Sequence, residues 1–244
     1  MTLVASGTIG LGGSLTNASV NIELGQAATA LISMNDTNAR TLAGVSSGAI
    51  SLASFYGKSN FTPTTVSFIG TGSSTYTVPS GASNVIIEIF GAGGKGGDGV
   101  FDGTDYWGGG GSGGGAYSRS SYSCSGGQVI TYGSASVSGA ASSISVGGPV
   151  GTAMNANPGG AGGFGSAGSG GSGGAGGSAT GSNIAVNTTG NVGSAGGQNF
   201  AGTGGAGRSS VSPSGGGPYG TGGDGSTFGT GSDGAVGAVI FYFT

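Results

Sequence analysis

The 244-residue chain reads as a mainly β protein. The expected fold is a β-sandwich or jelly-roll-like module with long glycine-rich loops, preceded by a small mixed α/β module. Three observations carry that reading. Short alternating segments separated by turn residues recur from residue 65 to residue 244, the pattern of a sandwich or barrel. The apolar runs "NVIIEIF" (84–90) and "AVIFYFT" (238–244) offer core strands in a chain with only 5% charged residues. Glycine, 64 residues in all, is concentrated between the strands on a three-residue beat.

Residues 1–60 differ from the rest, holding Leu3, Leu11, Leu15, Leu24, Leu31, Leu42 and Leu52 with sparser glycine. "SVNIEL" (19–24) alternates as a strand does. "NDTNARTLAGV" (35–45) predicts a short helix: Asn35 or Asp36 caps it, Ala39, Leu42 and Ala43 share a face, and Gly44 stops it. "SGAISLASFYGKS" (47–59) reads as a second helix capped by Ser51, with Leu52, Phe55 and Tyr56 buried, or as a strand of period two. "NFTPTT" (60–65) is a linker, since Pro63 drives Thr62 into an extended shape.

Strand candidates then follow at 65–70, 74–78 and 84–90, with a turn at 79–83. In 84–90 the residues Val85, Ile87 and Ile89 face one way, and Ile86, Glu88 and Phe90 the other. Further candidates are 116–123, 128–134, 142–146, 183–187 and 235–244. The last must be tucked into a sheet because it is strongly apolar.

Between the strands lie glycine tracts at 91–115, 147–181 and 190–237. One stretch, 157–181, has glycine at 159, 162, 165, 168, 171, 174 and 177 without a break. Three residues per turn is the period of a polyproline-II-like helix. Collagen shares it but needs abundant proline, and there are six prolines here. The choice is between flexible linkers and extended glycine helices stacked side by side in polyglycine-II fashion. Stacking lets bare backbone groups pair, as ordered backbone must. Ordering so much glycine is entropically costly. Tracts interleaved with strands favour the stacked form.

Composition excludes much chemistry. With no histidine and a single cysteine, His-based nucleophilic triads and His- or Cys-ligated zinc are ruled out. Cys124 reads as a small buried apolar side chain. The net charge of −3 and the scatter of Arg40, Lys58, Lys95, Arg119 and Arg208 argue against nucleic acid. No run is long enough for a membrane span, and no signal-peptide pattern opens the chain. The expectation is a soluble protein made in the cytoplasm and not exported by a cleaved signal, with no metal, no cofactor and no membrane insertion. "GKS" (57–59) echoes a phosphate-binding loop, but Leu52 stands where that loop needs glycine. Asp98, Asp102 and Asp105, with Asp224 and Asp233, are acids that could ligate calcium or merely solubilise a neutral surface.

Phe101, Tyr106, Trp107, Phe164, Phe200, Tyr219 and Phe228 all lie inside glycine tracts. Each either plugs the core or anchors a contact at a loop tip. The contact candidates are Phe101, Tyr106, Trp107, Asp102 and Asp105 on "FDGTDYWGGGG" (101–111), followed by Phe164 and Tyr219. Rings and carboxylates suit a saccharide; rings alone suit an outer-membrane protein loop. The alternative for Trp107 is a cap on the β core.

The segments "YTVPSGASNVIIEIFGAGGKGGDG" (76–99), "GGGGSGGGAYSRSSYSCSGGQVITYGSAS" (108–136) and "GGDGSTFGTGSDGAVGAVIFYFT" (222–244) resemble the glycine-rich domain of bacteriophage tail and appendage proteins. The likeness covers about 65–244. It departs from the family at 125–127, where "SGG" replaces the usual turn proline, and at "ITYG". Residues 6–59, through "NDTNARTLAGVSSGAISLASFYGKS", resemble a small docking module of phage virion proteins. Together the resemblances imply a non-catalytic virion structural protein. Residues 1–60 would dock to other virion proteins and 65–244 would form a tail-fibre or tail-tip module that attaches to the host surface. Such parts are commonly threefold, so a homotrimer is expected. Within the virion the alternative is a capsid decoration or neck protein without a receptor; outside it, an aspartate-dependent carbohydrate-active enzyme.

Overall fold

The computed structural model describes residues 2–15, 17–181, 186–203 and 219–244. It is mainly β, with antiparallel sheets and little helix.

The leucine-rich segment forms its own apolar cluster from Leu3, Ile9, Val20, Ala39, Leu42, Ala43 and Phe55. Helix α2, Thr37–Ala43, follows the expectation: Asp36 occupies the cap position and Gly44 ends it in the left-handed region at φ 72°. The Asp36 carboxylate does not close on the helix but accepts from the Ser33 amide at 2.8 Å. The second helix is a single 3₁₀ turn, Leu52–Phe55, begun by Ser51 and Ser54 as a capping box. Phe55 is buried, whereas Leu52 is 36% exposed and does not join the stripe.

"SVNIEL" is a correction: Val20–Glu23 is one helical turn, α1. Tertiary partners override the alternation. The Val20 and Asn21 amides are taken by the Gly10 and Leu11 carbonyls, which curl the segment inward, and Val20, Asn21 and Glu23 are all buried.

The β module is built on two five-stranded sheets. The first runs β1 (Thr64–Ile69), β12 (Ala238–Phe243), β3 (Asn84–Phe90), β6 (Tyr117–Ser123), β11 (Val186–Thr188). The second runs β10 (Ala179–Thr180), β9 (Met154–Ala156), β8 (Ser142–Ile144), β7 (Val129–Ser134), β2 (Gly72–Thr77). A two-stranded ribbon joins β4 (Val100–Phe101) to β5 (Tyr106–Trp107). Val85, Ile87, Ile89, Val239, Phe241 and Phe243 of the first sheet share one cluster with Ile130, Tyr132, Ile144 and Met154 of the second. The faces assigned to 84–90 hold: Phe90 turns the other way, toward Tyr117, Tyr219, Ala238 and Ile240. The terminal strand β12 sits between β1 and β3 and is almost wholly buried. Cys124 is buried, and that burial raises its thiol pKa. Residues 183–185 of the proposed strand 183–187 lie outside the described residues.

The glycine tracts are ordered rods with a regular exchange of hydrogen bonds. Tract 1 (91–99) leaves β3 and tract 2 (108–116) returns to β6. Tract 3 (157–165) leaves β9 and tract 4 (170–178) returns to β10. Tract 5 (189–197) leaves β11, and tract 6 (200–203) turns back. Tract 7 (219–226) runs outward and tract 8 (230–237) returns to β12.

Tract 2 is the hub. The amides of Gly108, Gly111 and Gly114 donate to tract 5; those of Gly109, Ser112 and Gly115 to tract 7; those of Gly110, Gly113 and Ala116 to tract 3, all at 2.8–3.0 Å. Its carbonyls accept from tract 1 at 110, 113 and 116, from tract 4 at 108, 111 and 114, and from tract 6 at 109. Every third residue of tract 2 turns to the same neighbour, so one rod serves three donor and three acceptor neighbours. The neighbours also bond round the ring: 3 to 1, 7 to 1, 7 to 6, 5 to 6, 5 to 4 and 3 to 4, with tract 8 outside against 1 and 7.

Such spacing leaves no room for a side chain at many of the glycines. A Cβ on Gly110 would fall 1.9 Å from the Ser172 carbonyl, and one on Gly96 1.9 Å from that of Asp224. The unbroken beat through 157–181 is thus two antiparallel rods. Gly168 belongs to the turn between them, at φ +81° with open space beside it.

Candidate functional site at the tract tips

Because tracts 1, 3, 5 and 7 leave the sheets, the turns that follow them meet at the far end of the array. These are the β4–β5 hairpin, the Ser166–Ser169 turn, the Gly197–Phe200 turn and the turn at 226–229, which bridges back to Gly99. Hydrogen bonds stitch them together. The Asn199 amide donates to the Tyr106 carbonyl at 2.7 Å, and Trp107 bridges Gln198. The Gly165 amide donates to the Asp98 carbonyl, and the Gly231 amide to the Asp98 carboxylate, both at 2.9 Å.

The hairpin is folded by Asp102. Its Oδ1 accepts from the Thr104 and Asp105 amides at 3.0 and 2.9 Å, and its Oδ2 from Trp107 Nε1 at 2.7 Å. Gly103, at φ +99°, allows the reversal between them. The Asp105 and Thr104 amides, then the indole, hold the Asp102 carboxyl below the usual carboxylate range. Asp102 is therefore occupied in shaping the loop.

The rings form an open patch. Phe101 and Tyr106 lie 4.8 Å apart, centroid to centroid, and Phe228 meets Tyr106 edge-on at 5.8 Å. Phe101, Tyr106, Phe200 and Phe228 are all exposed, and Phe164 most of all at 73%. Phe200 folds over Gly197, where a Cβ would strike the ring. Trp107 is half-buried beside Asp102 and takes no part in the β core, so the core-cap alternative does not hold.

Five of the candidates, Phe101, Tyr106, Trp107, Asp102 and Asp105, share the hairpin, and Phe164 stands at the same end of the array. Tyr219 does not. It lies at the sheet end, 9% exposed, packed on Phe90 at 4.8 Å and Tyr117 near Glu88. Its place at the start of tract 7 rather than its end, where the Gly220 amide bonds the Val236 carbonyl, accounts for the difference. Phe200 and Phe228 join the patch; their signal in the sequence is a ring within one residue of a tight turn.

Among the described residues no three His, Cys, Asp or Glu side chains gather as metal ligands. The arrangement offers stacking faces, phenol and indole polar tips and carboxylates on a braced support. Comparison with protein-family models and with curated proteins finds no match for this chain.

Proposed function

We propose that the chain is a bacteriophage virion structural protein, part of a tail fibre or tail tip, that attaches to the host surface without catalysis. In this reading the two sheets form a jelly-roll-like sandwich and the glycine tracts a polyglycine-II bundle that carries the tips outward. Residues 1–60 dock the protein to other virion components, and copies of the chain assemble together.

The observation that supports it is the convergence of the turns at one end of the array, with Phe101, Tyr106, Phe164, Phe200 and Phe228 exposed there. Exposed aromatic side chains at one place are costly unless they meet a partner, and aromatics dominate contact energetics. Rods joined by backbone bonds hold those rings with little freedom left to lose on binding. The ligand is a host saccharide or an outer-membrane protein loop. Particles carrying Tyr106→Ala with Phe228→Ala should assemble normally and adsorb poorly to host cells. Unchanged adsorption of correctly assembled particles would reject the tip as the contact site.

A further inference from the structure

We infer that two copies of this chain pair through the free edge of strand β2, antiparallel about Thr75. Among the described residues β2 is the last strand of its sheet and bonds β7 on one side only. The Val78 amide donates to the Gln128 carbonyl at 2.8 Å, and the Gly127 amide donates back to Val78. By the alternation of an antiparallel ladder, Tyr76, Ser74 and Gly72 also face β7. The amides and carbonyls of Ser73, Thr75 and Thr77 therefore point to the open edge, and all three residues are exposed.

Protein edges of this kind are ordinarily guarded by charge, proline or a bulge. This one is not. Residues 59–87 contain no charged residue, and neither does any strand of the second sheet. Pro79 and Gly72, at φ +76°, only mark the two ends of the usable edge.

The occupant that fits is a second copy. Placing Thr75 opposite its own symmetry mate sets Ser73 opposite Thr77, so all three outward residues meet outward residues in hydrogen-bonded pairs. Hydroxyl–hydroxyl cross-strand pairs are favourable, and the contact is isologous and closes on itself. The chain carries a net charge of −3, which opposes self-association; on this sheet no charge is present to do so. The product is one ten-stranded sheet and a dimer, in place of the homotrimer that the resemblance implies.

The test uses the full chain. Sedimentation at tens of micromolar should give twice the 22.4 kDa chain mass, and the amides of Ser73, Thr75 and Thr77 should be protected from exchange. Thr75→Lys should halve the mass and expose those amides. Thr131→Lys, which puts the same charge one strand inward on the same face, should remain a dimer. A monomeric or trimeric wild-type chain, fast exchange at the three amides, or a folded Thr75→Lys dimer would each overturn the pairing. So would dissociation by Thr131→Lys, which would mean that the faces pack rather than the edges. Exchange in the wild-type chain needs no variant, so a misfolded substitution leaves the test intact.

Discussion

The Ser112 hydroxyl lies 2.7 Å from the Gly94 carbonyl and 3.1 Å from that of Gly223, and so touches two rods from a third. It is fully buried, the one side chain beyond glycine between Gly108 and Gly115. Sliding tract 2 by three residues would preserve its glycine-to-glycine bonds, because the repeat is three. The hydroxyl distinguishes one register from the next, as hydrophobic patterning does in an ordinary sheet.

Ser112→Ala should therefore cost about 1 kcal/mol, the net worth of a buried hydrogen bond. Urea denaturation checks it. A loss indistinguishable from zero would mean that the hydroxyl contributes nothing to the array.

Gly171→Ala should be far more damaging than its single methyl suggests. A Cβ there would sit 2.0 Å from the Gly163 carbonyl, between backbones that cannot part without breaking bonds to tract 2. Overpacking of this sort costs about 1–3 kcal/mol, and occasionally more. Ala161→Val, on an exposed position of tract 3, is the matched control and should be nearly neutral in the same denaturation series.

Trp107 is the only tryptophan, so its fluorescence reports the Asp102 contact directly. The Asp102 pKa is lowered in the folded hairpin, so its contribution is present above the unfolded value of 3.8 and is lost as pH falls through the folded value. An acid titration should show an emission change centred below pH 3.8. Asp102→Asn should abolish that transition; its survival would assign it to another group.

At the other end, Tyr117 donates to the buried Glu88 carboxylate at 2.9 Å, with Arg119 Nε 3.7 Å from the same oxygen. Burial first, then Glu88, raises the Tyr117 pKa. The neutral phenol thus stabilises the fold fully below pH 10, and that stability is lost as pH rises through the folded value. Tyr117→Phe should cost about 1–3 kcal/mol at neutral pH, because Glu88 loses a donor while buried. It should also remove the latest-titrating phenol from an alkaline absorbance titration.

Much of the strand framework is legible in the sequence because each strand advertises itself locally. β3 shows its two faces by alternation, and β12 its central place by apolar content. α2 is framed by Asp36 and Gly44. The short strands β9 and β10 are not legible: Met154–Ala156 and Ala179–Thr180 carry little pattern and exist because a neighbour supplies the other half of each ladder. α1 was hidden for a related reason, its amides being claimed by Gly10 and Leu11. For the tip, the aromatic residues in the tracts are visible, but Tyr219 and Phe228 look alike in sequence. Only the direction of tract 7 sends one to the sheets and the other to the far end.

Composition and periodicity by themselves marked the long alternating strands, an N-terminal segment with its own apolar residues, and the tracts with glycine in threes. They also left no histidine, and no set of cysteines, to ligate zinc. Which rod lies beside which was decided only in the tertiary structure. Glycine tracts have no side chains to recognise one another, and any tract can bond any other. The choice of tract 2 as hub follows from where the sheets release and receive each rod, and from the few residues, Ser112 foremost, that make one register unlike the rest.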